Sequence, residues 1–288
     1  MKKEHIRDII FNRRVGDLMN TKEQIALKRK ETLEAIKSLC LLDDNLMTLV
    51  FDRNIEATEL LLDVILQRND LRVLEVVAQR EYKNPMHDGR SITIDIYALD
   101  GENKVYNIEV QRASAGADVH RARFHSSMID TKMLKAGQEF KDIHDSYVIF
   151  ITADDVMGAG RSLYHVNRTI EETGAYFNDG SHIIYVNGSY KNDNDPVGKL
   201  MHDFRCLSSV DMFYPILAKQ VKYFKETEGG QEIMCQVFED LAEKRVTEEK
   251  KAFARRLIAR GKQTLEEIAE DTDLPLEEVR ELAGLQLA

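Results

Sequence analysis

Ser91-Ile-Thr-Ile-Asp-Ile-Tyr-Ala-Leu-Asp100 and Val105-Tyr-Asn-Ile-Glu-Val-Gln-Arg112 alternate apolar and polar residues on either side of a short glycine-containing segment. Period-two alternation flanking a tight turn predicts an antiparallel hairpin. Ile92, Ile94, Ile96 and Ala98 share one face of the first strand, with Thr93, Asp95 and Tyr97 on the other. In the second strand Tyr106, Ile108 and Val110 oppose Asn107, Glu109 and Gln111. A three-residue loop, Gly101 to Asn103, sets Asp95 directly across from Glu109, at a Cβ separation of about 5 Å. Two carboxylates that close repel each other, and the repulsion is relieved by a proton or a metal ion. The same pair, taken alone, also reads as two solvated residues on an exposed sheet face.

Outward from the hairpin the chain alternates helical and strand-like segments. Before it, the polar stretch from Glu4 to about Leu42 reads as a helical arm with a sparse stripe of Ile25, Leu33, Ile36 and Leu39. Asn54 caps an apolar helix that begins at Ile55, and Leu71 to Val77 reads as a strand. After it, Asp118 caps a helix running to about Lys135, with Val119, Phe124, Met128 and Leu134 as buried candidates and Arg121, Arg123, Lys132 and Lys135 making it basic. Tyr147-Val-Ile-Phe-Ile-Thr152 is a continuous apolar run, the mark of a central strand covered on both faces. His182 to Asn187 is a further strand, reached through a polar connection containing Gly158 and Gly160. Helices are expected over Val197 to Leu207, Met212 to Lys225 and, past Gly229-Gly230, Gln231 to Arg260. Thr264-Leu-Glu-Glu forms a capping box, and Leu274-Pro-Leu-Glu-Glu starts a last short helix.

With 288 residues, 43% of them apolar and 31% charged, the chain can bury a full core. No window approaches the ~20 apolar residues of a membrane span, and the charged start lacks a signal peptide's apolar segment, so the expected compartment is the cytoplasm. Cys40, Cys206 and Cys235 are too few and too scattered for a disulfide framework or a zinc site, and read as reduced, mostly buried thiols. The histidines, His120 and His125 included, have no metal-binding spacing. A net charge of −10 excludes a protein that coats nucleic acid through overall charge, though it leaves room for a local basic face. From Thr264 onward eight acidic residues face the single Arg280, so the terminal helix pair is not a DNA reader and suits packing or self-association.

The order helix, strand, strand, strand, helix, strand, with an Asp on one middle strand and Glu-x-Gln on the next, resembles the PD-(D/E)XK nuclease superfamily. Within it the wording is similar to the recombination-promoting nuclease and transposase family. The phrases that carry this are Asp63-Val-Ile-Leu-Gln-Arg-Asn-Asp-Leu-Arg-Val73, Gly89-Arg-Ser-Ile-Thr-Ile-Asp95, Tyr106-Asn-Ile-Glu-Val-Gln-Arg112, Arg121-Ala-Arg-Phe-His125, Tyr147-Val-Ile-Phe-Ile151 and Ile183-Ile-Tyr-Val-Asn187, and the resemblance covers roughly Leu41 to Lys225. It implies an α/β fold of mixed α+β character: a restriction-endonuclease-like core, a mixed central sheet flanked by helices, with helical N- and C-terminal extensions. The expected organisation is an arm over 1–40, a nuclease-like domain over 41–228 and a helical extension over 229–288.

The resemblance further implies a metal-dependent DNA endonuclease linked to recombination or mobile elements, with Asp95 and Glu109 as ligands of Mg2+ or Mn2+ helped by the Val110 carbonyl. Gln111 falls at the third catalytic position, where the superfamily usually has a lysine; an amide can hold a water but brings no charge. Arg121 matches the family's helical arginine and Glu59 the place of an accessory acid. Arg121, Arg123 and Lys132 read equally well as a solvated helix face, and Glu59 as a surface carboxylate. The expected partner is DNA, with no membrane, and with a homodimer through the helical extensions. The alternative is a nuclease-like scaffold that binds DNA or protein without cutting.

Overall fold

A computed structural model describes residues 21–86 and 89–284. Six strands form one mixed sheet in the order β1-β2-β3-β4-β6-β5. The strands are β1 (Val73–Tyr82), β2 (Ile92–Asp100), β3 (Val105–Gln111), β4 (Ser146–Thr152), β5 (Leu163–Val166) and β6 (Ser181–Asn187). β1, β2 and β3 are antiparallel neighbours, β3, β4 and β6 run parallel, and β5 closes the far edge antiparallel to β6.

The β2–β3 hairpin has the expected register. Asp100 N–H donates to the Lys104 carbonyl and Asn103 N–H to that of Asp100, leaving Gly101 to Asn103 as the loop. Asn103 takes the left-handed conformation (φ 61°), which this loop type requires and asparagine tolerates. The register is pinned from below by Asp100, whose carboxylate accepts from the N–H groups of Glu102 and Lys104 and from the Tyr106 hydroxyl.

Helices cover both faces. On one lies α4 (Val119–Met133), which connects β3 to its parallel neighbour β4 and packs Ala122, Met128 and Ile129 against Tyr97, Val148, Phe150 and Tyr185. The other face and the β1 side carry α2 (Asp44–Phe51), α3 (Ile55–Leu66), α5 (Pro196–Arg205) and α6 (Pro215–Glu226), whose Leu46, Met47, Phe51, Leu61, Leu62, Leu200, Phe204 and Leu217 are fully buried. β3 is consequently buried along both faces, Asn107 and Glu109 included. The connection from β3 to β4 needs a helix because parallel strands cannot be joined by a turn.

Several expectations shift. Helix α1 spans Thr21–Lys37; the earlier part of the expected arm lies outside the described residues. β1 starts at Val73 and runs on to Tyr82, because pairing with β2 carries it past the apolar run. On α4, Val119 (58%) and Phe124 (36%) are exposed, and Ala122, His125, Ser126, Met128 and Ile129 face the sheet: a close helix–sheet approach takes small and polar side chains here. β5 lies within what reads as polar connection. Only Cys40 of the three free thiols is buried.

Gly229-Gly230 does not precede the long helix α7 (Glu228–Arg260) but lies inside it. A Cβ on Gly230 would come within 2.0 Å of the Tyr223 carbonyl oxygen, so only glycine lets α7 start this close to α6. The chain divides into two compact units, the first ending at Gln231 and the second beginning at Glu232. In the second, α8 (Leu265–Thr272) and α9 (Leu276–Leu282) bury Ile268, Leu274 and Val279 with Ala254 and Leu257 of α7. The expected helical pair is therefore three helices around one small core. Both members of the Thr264–Glu267 capping box are formed. No helix among the described residues is long and apolar enough to cross a membrane.

Candidate active site

β2 and β3 pair from Leu99↔Val105 to Ile96↔Ile108; one step further the same register sets Asp95 against Glu109. There the ladder opens, and Asp95 takes over: its Oδ2 accepts from the Val110 N–H at 3.0 Å. On the other side β1 pairs Ala78↔Ile96 and Arg80↔Ile94, and between them Gln79 sits in the left-handed region (φ 53°). A non-glycine residue held there within a strand is strained and needs its surroundings to hold it. The Gln79 amide donates weakly to Asp95 Oδ1 at 3.3 Å and to Thr48 Oγ1 of α2 at 3.5 Å.

Glu109 is fully buried. Its Oε2 accepts from Arg121 Nη2 of α4 at 2.7 Å. Its Oε1 lies 3.4 Å from Nδ1 of the buried His125, within ion-pair range but not aligned as a hydrogen bond, and is left without a hydrogen-bond partner among the described residues. His125 also meets the Asn107 amide at 2.8 Å, while Arg121 reaches His125 Nε2 at 3.4 Å and the Gly116 carbonyl at 3.2 Å. Oε2 is thus held by the Arg121 guanidinium, while Oε1 has no donor.

The electrostatics follow from this arrangement. Asp95 is pushed up to about 7, first by burial and then by the Glu109 charge, with Asp44 adding; the bonds from Val110 and Gln79 only partly offset this. Asp44, at the start of α2, is exposed on its outer side yet locally stripped of water. Its carboxyl is held above the ordinary range first by that desolvation, then by Asp43 and Glu109, against the lowering effect of Arg112. Arg112 fixes this corner: it pairs with Asp43 Oδ2 at 2.8 Å, and donates to the Leu42 carbonyl and to Cys40 Sγ. Three acidic side chains from a strand, its partner strand and a helix N-terminus therefore feel one another.

Of the residues singled out from the sequence, Asp95, Glu109, Val110 and Arg121 come together here. Gln111 ends β3 beside them, its Oε1 lying over Gly116, where an added Cβ would be only 2.0 Å from that oxygen. Glu59 is elsewhere: its Oε1 accepts from the Val73 N–H at the start of β1, and the helical acid that reaches the pair is Asp44. Arg123 and Lys132 make no contact with the pair. Asp44, Gln79, Asn107 and His125 carry no pattern in the sequence that marks them; only the helical spacing of Arg121 and His125, four apart, placed both on one face.

The residues match an oxygen-coordinated divalent cation: two carboxylates facing each other, one holding a proton to about 7, the other with a buried oxygen lacking a donor. Among the described residues no three His, Cys, Asp or Glu side chains form a ready-made ligand cluster.

A sequence profile for the PD-(D/E)XK nuclease family transposases matches residues 49–194. The chain belongs to this family. The match takes in β1 to β6, the β2–β3 carboxylates and Arg121 on α4. No curated protein and no solved structure matches the chain. A nuclease- or transposase-like function with DNA as substrate is what this family implies, and PD-(D/E)XK nucleases generally use divalent metal ions.

Proposed function

We propose that this family member is a DNA endonuclease that hydrolyses phosphodiester bonds with Mg2+ or Mn2+ held by Asp95 and Glu109, in recombination or mobile-element movement. The observation that carries the reading is the Asp95–Glu109 opposition at the open end of the β2–β3 ladder, where burial and then the Glu109 charge raise Asp95 and Glu109 Oε1 has no donor. Asp95, Glu109 and the Val110 carbonyl would hold the divalent ion, which would supply polarisation of the scissile phosphate and a water of lowered pKa.

The chain's own groups do the rest. Asp95 must release its proton before it can act as a ligand, so the site is primed above pH 7. Arg121 holds Glu109 through Oε2, which fixes Oε1 in place, and its side chain, 37% exposed, can face an incoming phosphate. Gln111 orients a water through its amide without adding charge. Gln79 and Arg112 act at one remove, the first on Asp95 and the second on the turn before Asp44.

The test is cleavage of supercoiled plasmid in Mg2+ or Mn2+ by the wild type, Asp95→Ala and Glu109→Ala. Cleavage by the wild type alone is expected; equal cleavage by all three removes these carboxylates from the reaction. A second reading, a scaffold that binds DNA or protein without cutting, is favoured by the uncharged Gln111 and by Arg121 already neutralising Glu109. Calorimetric Mn2+ titration separates the two, since only the enzyme needs a site lost with Asp95→Ala. Pairing of two copies through segments 1–40 and 229–288 belongs to the same proposal and is read from light-scattering mass with and without residues 229–288.

A further inference from the structure

On the sheet face opposite Glu109, and at the other end of the parallel strands, three rings stand in register across β3, β4 and β6. Tyr106 stacks on Tyr147 with centroids 4.9 Å apart and 17° between planes, and Tyr147 on His182 at 4.4 Å and 16°. The inner end of this stack is closed: Tyr106 is fully buried and its hydroxyl is bonded to Asp100. The outer end is open. The β5–β6 pairing ends at Val166↔Ile183; one step further the same register sets Asn167 opposite His182, and both line one recess, so the next place in the row falls to a short amide and not to a ring.

A recess of about 230 Å³ lies at that open end, lined by Leu66, Arg68, Tyr147, His165, Asn167 and His182 among others. It is smaller than the ~300 Å³ at which drug-sized pockets begin, and so is scaled to one flat ring system. Its walls offer both donors and acceptors: the Asn167 amide, the His165 ring and the Arg68 guanidinium, which spends its Nε on Asp70 at 2.7 Å. The His182 ring is steadied by Asp145 at 3.8 Å and is 35% exposed. A stack with a free face, ringed by edge-reading polar groups, is the arrangement by which proteins hold unpaired bases.

We propose that this recess binds an unpaired nucleobase of single-stranded DNA, stacked on the outer face of His182 as the fourth ring of the Tyr106–Tyr147–His182 row. The ligand class rests on the nuclease reading above; the site does not share a residue with it. Tyr106 and Glu109 stand three positions apart on β3, roughly 10 Å along the strand, and on opposite faces of the sheet. A base held here anchors a frayed or displaced strand while the duplex it leaves reaches the carboxylates.

The experiment is titration of the full chain, in EDTA, into a single-stranded oligonucleotide carrying one 2-aminopurine, whose fluorescence falls when the base stacks. Quenching by the wild type is expected, whereas the same base in a duplex, already stacked and dim, should show no further fall on titration. His182→Ala should weaken the quenching titration by roughly 5-fold or more. Asn167→Phe, which fills the recess while keeping His182, should weaken it likewise, thermal unfolding confirming that both variants fold. No quenching by wild type, or equal quenching by all three chains, overturns the site. Asp95→Ala is expected to quench as wild type does, so a chain that cuts plasmid without this quenching sinks the recess alone, and one that quenches without cutting sinks the nuclease reading alone.

Discussion

Asp95 and Asp100 lie on the same strand, five residues apart, yet their environments are opposite. Asp100, almost fully buried, accepts from two backbone N–H groups and a tyrosine hydroxyl, so the hairpin turn gains rigidity from these three bonds. Asp95 accepts one firm bond from Val110 and a long one from Gln79, and faces a second buried carboxylate. A carboxylate whose acceptor sites are filled by the protein serves the fold; one left short, beside a like charge, is available for chemistry. The register that locks one end of β2 is also what drives the two acids together at the other.

The sharpest way to break this contrast is exchange at both positions. Asp95→Asn should abolish calorimetric Mn2+ binding and reduce plasmid cleavage by roughly 100-fold or more, because an electrostatic contact to the reacting centre is lost. The fold should survive. Asp100→Ala should do the reverse: about 2–4 kcal/mol of stability lost in urea unfolding, from the Glu102 and Lys104 N–H groups and the Tyr106 hydroxyl left without their acceptor, with Mn2+ affinity retained by the folded fraction.

Removing the cation from Glu109 tests whether its burial depends on pairing. Arg121→Ala should destabilise by about 1–3 kcal/mol at pH 8, less than a fully buried pair because the arginine is partly solvated. It should also weaken Mn2+ binding, since the carboxylate then loses the bond that fixes its orientation.

The pH dependence is a gentler probe. The folded value for Asp95, about 7, stands above its ordinary 3.8, so between these pH values the folded chain keeps a proton that the unfolded chain has released. Stability from this group is complete below pH 3.8 and is lost as pH rises through about 7. Thermal midpoints measured without metal should therefore fall from pH 5 to pH 8, with Asp95→Asn flattening the fall, while Mn2+ affinity climbs over the same interval. A parallel decline in both variants would take Asp95 out of the account. The smallest effect belongs to Gly116→Ala, where the new methyl group displaces the end of Gln111: well under 1 kcal/mol in stability, with a measurable change in cleavage if the amide orients water.

Much of the scaffold was legible because its signals are local. The hairpin register follows from alternation plus a three-residue loop, the Asn54 and Asp118 caps from residue type, and β4 from an unbroken β-branched run. β5 escaped notice because four residues, Leu-Tyr-His-Val, within a polar stretch carry no period; they become a strand only by pairing with β6. Glu59 matches the family's place for an accessory acid while reading more readily as a surface carboxylate, and on α3 its carboxylate accepts from the Val73 N–H. Asp44 supplies the nearby charge because Arg112, seventy residues on from Leu42, pulls the turn before α2 against the end of β3.

What the residues alone determined is the pairing of Asp95 with Glu109, since side-chain alternation and turn length are backbone geometry and need no distant partner. What only the folded molecule decided is the charge state of that pair. Burial under α4, the grip of Arg121 on one oxygen and the approach of Asp44 all depend on long-range packing, and electrostatic strength depends on the surrounding medium, which no local pattern of residues records.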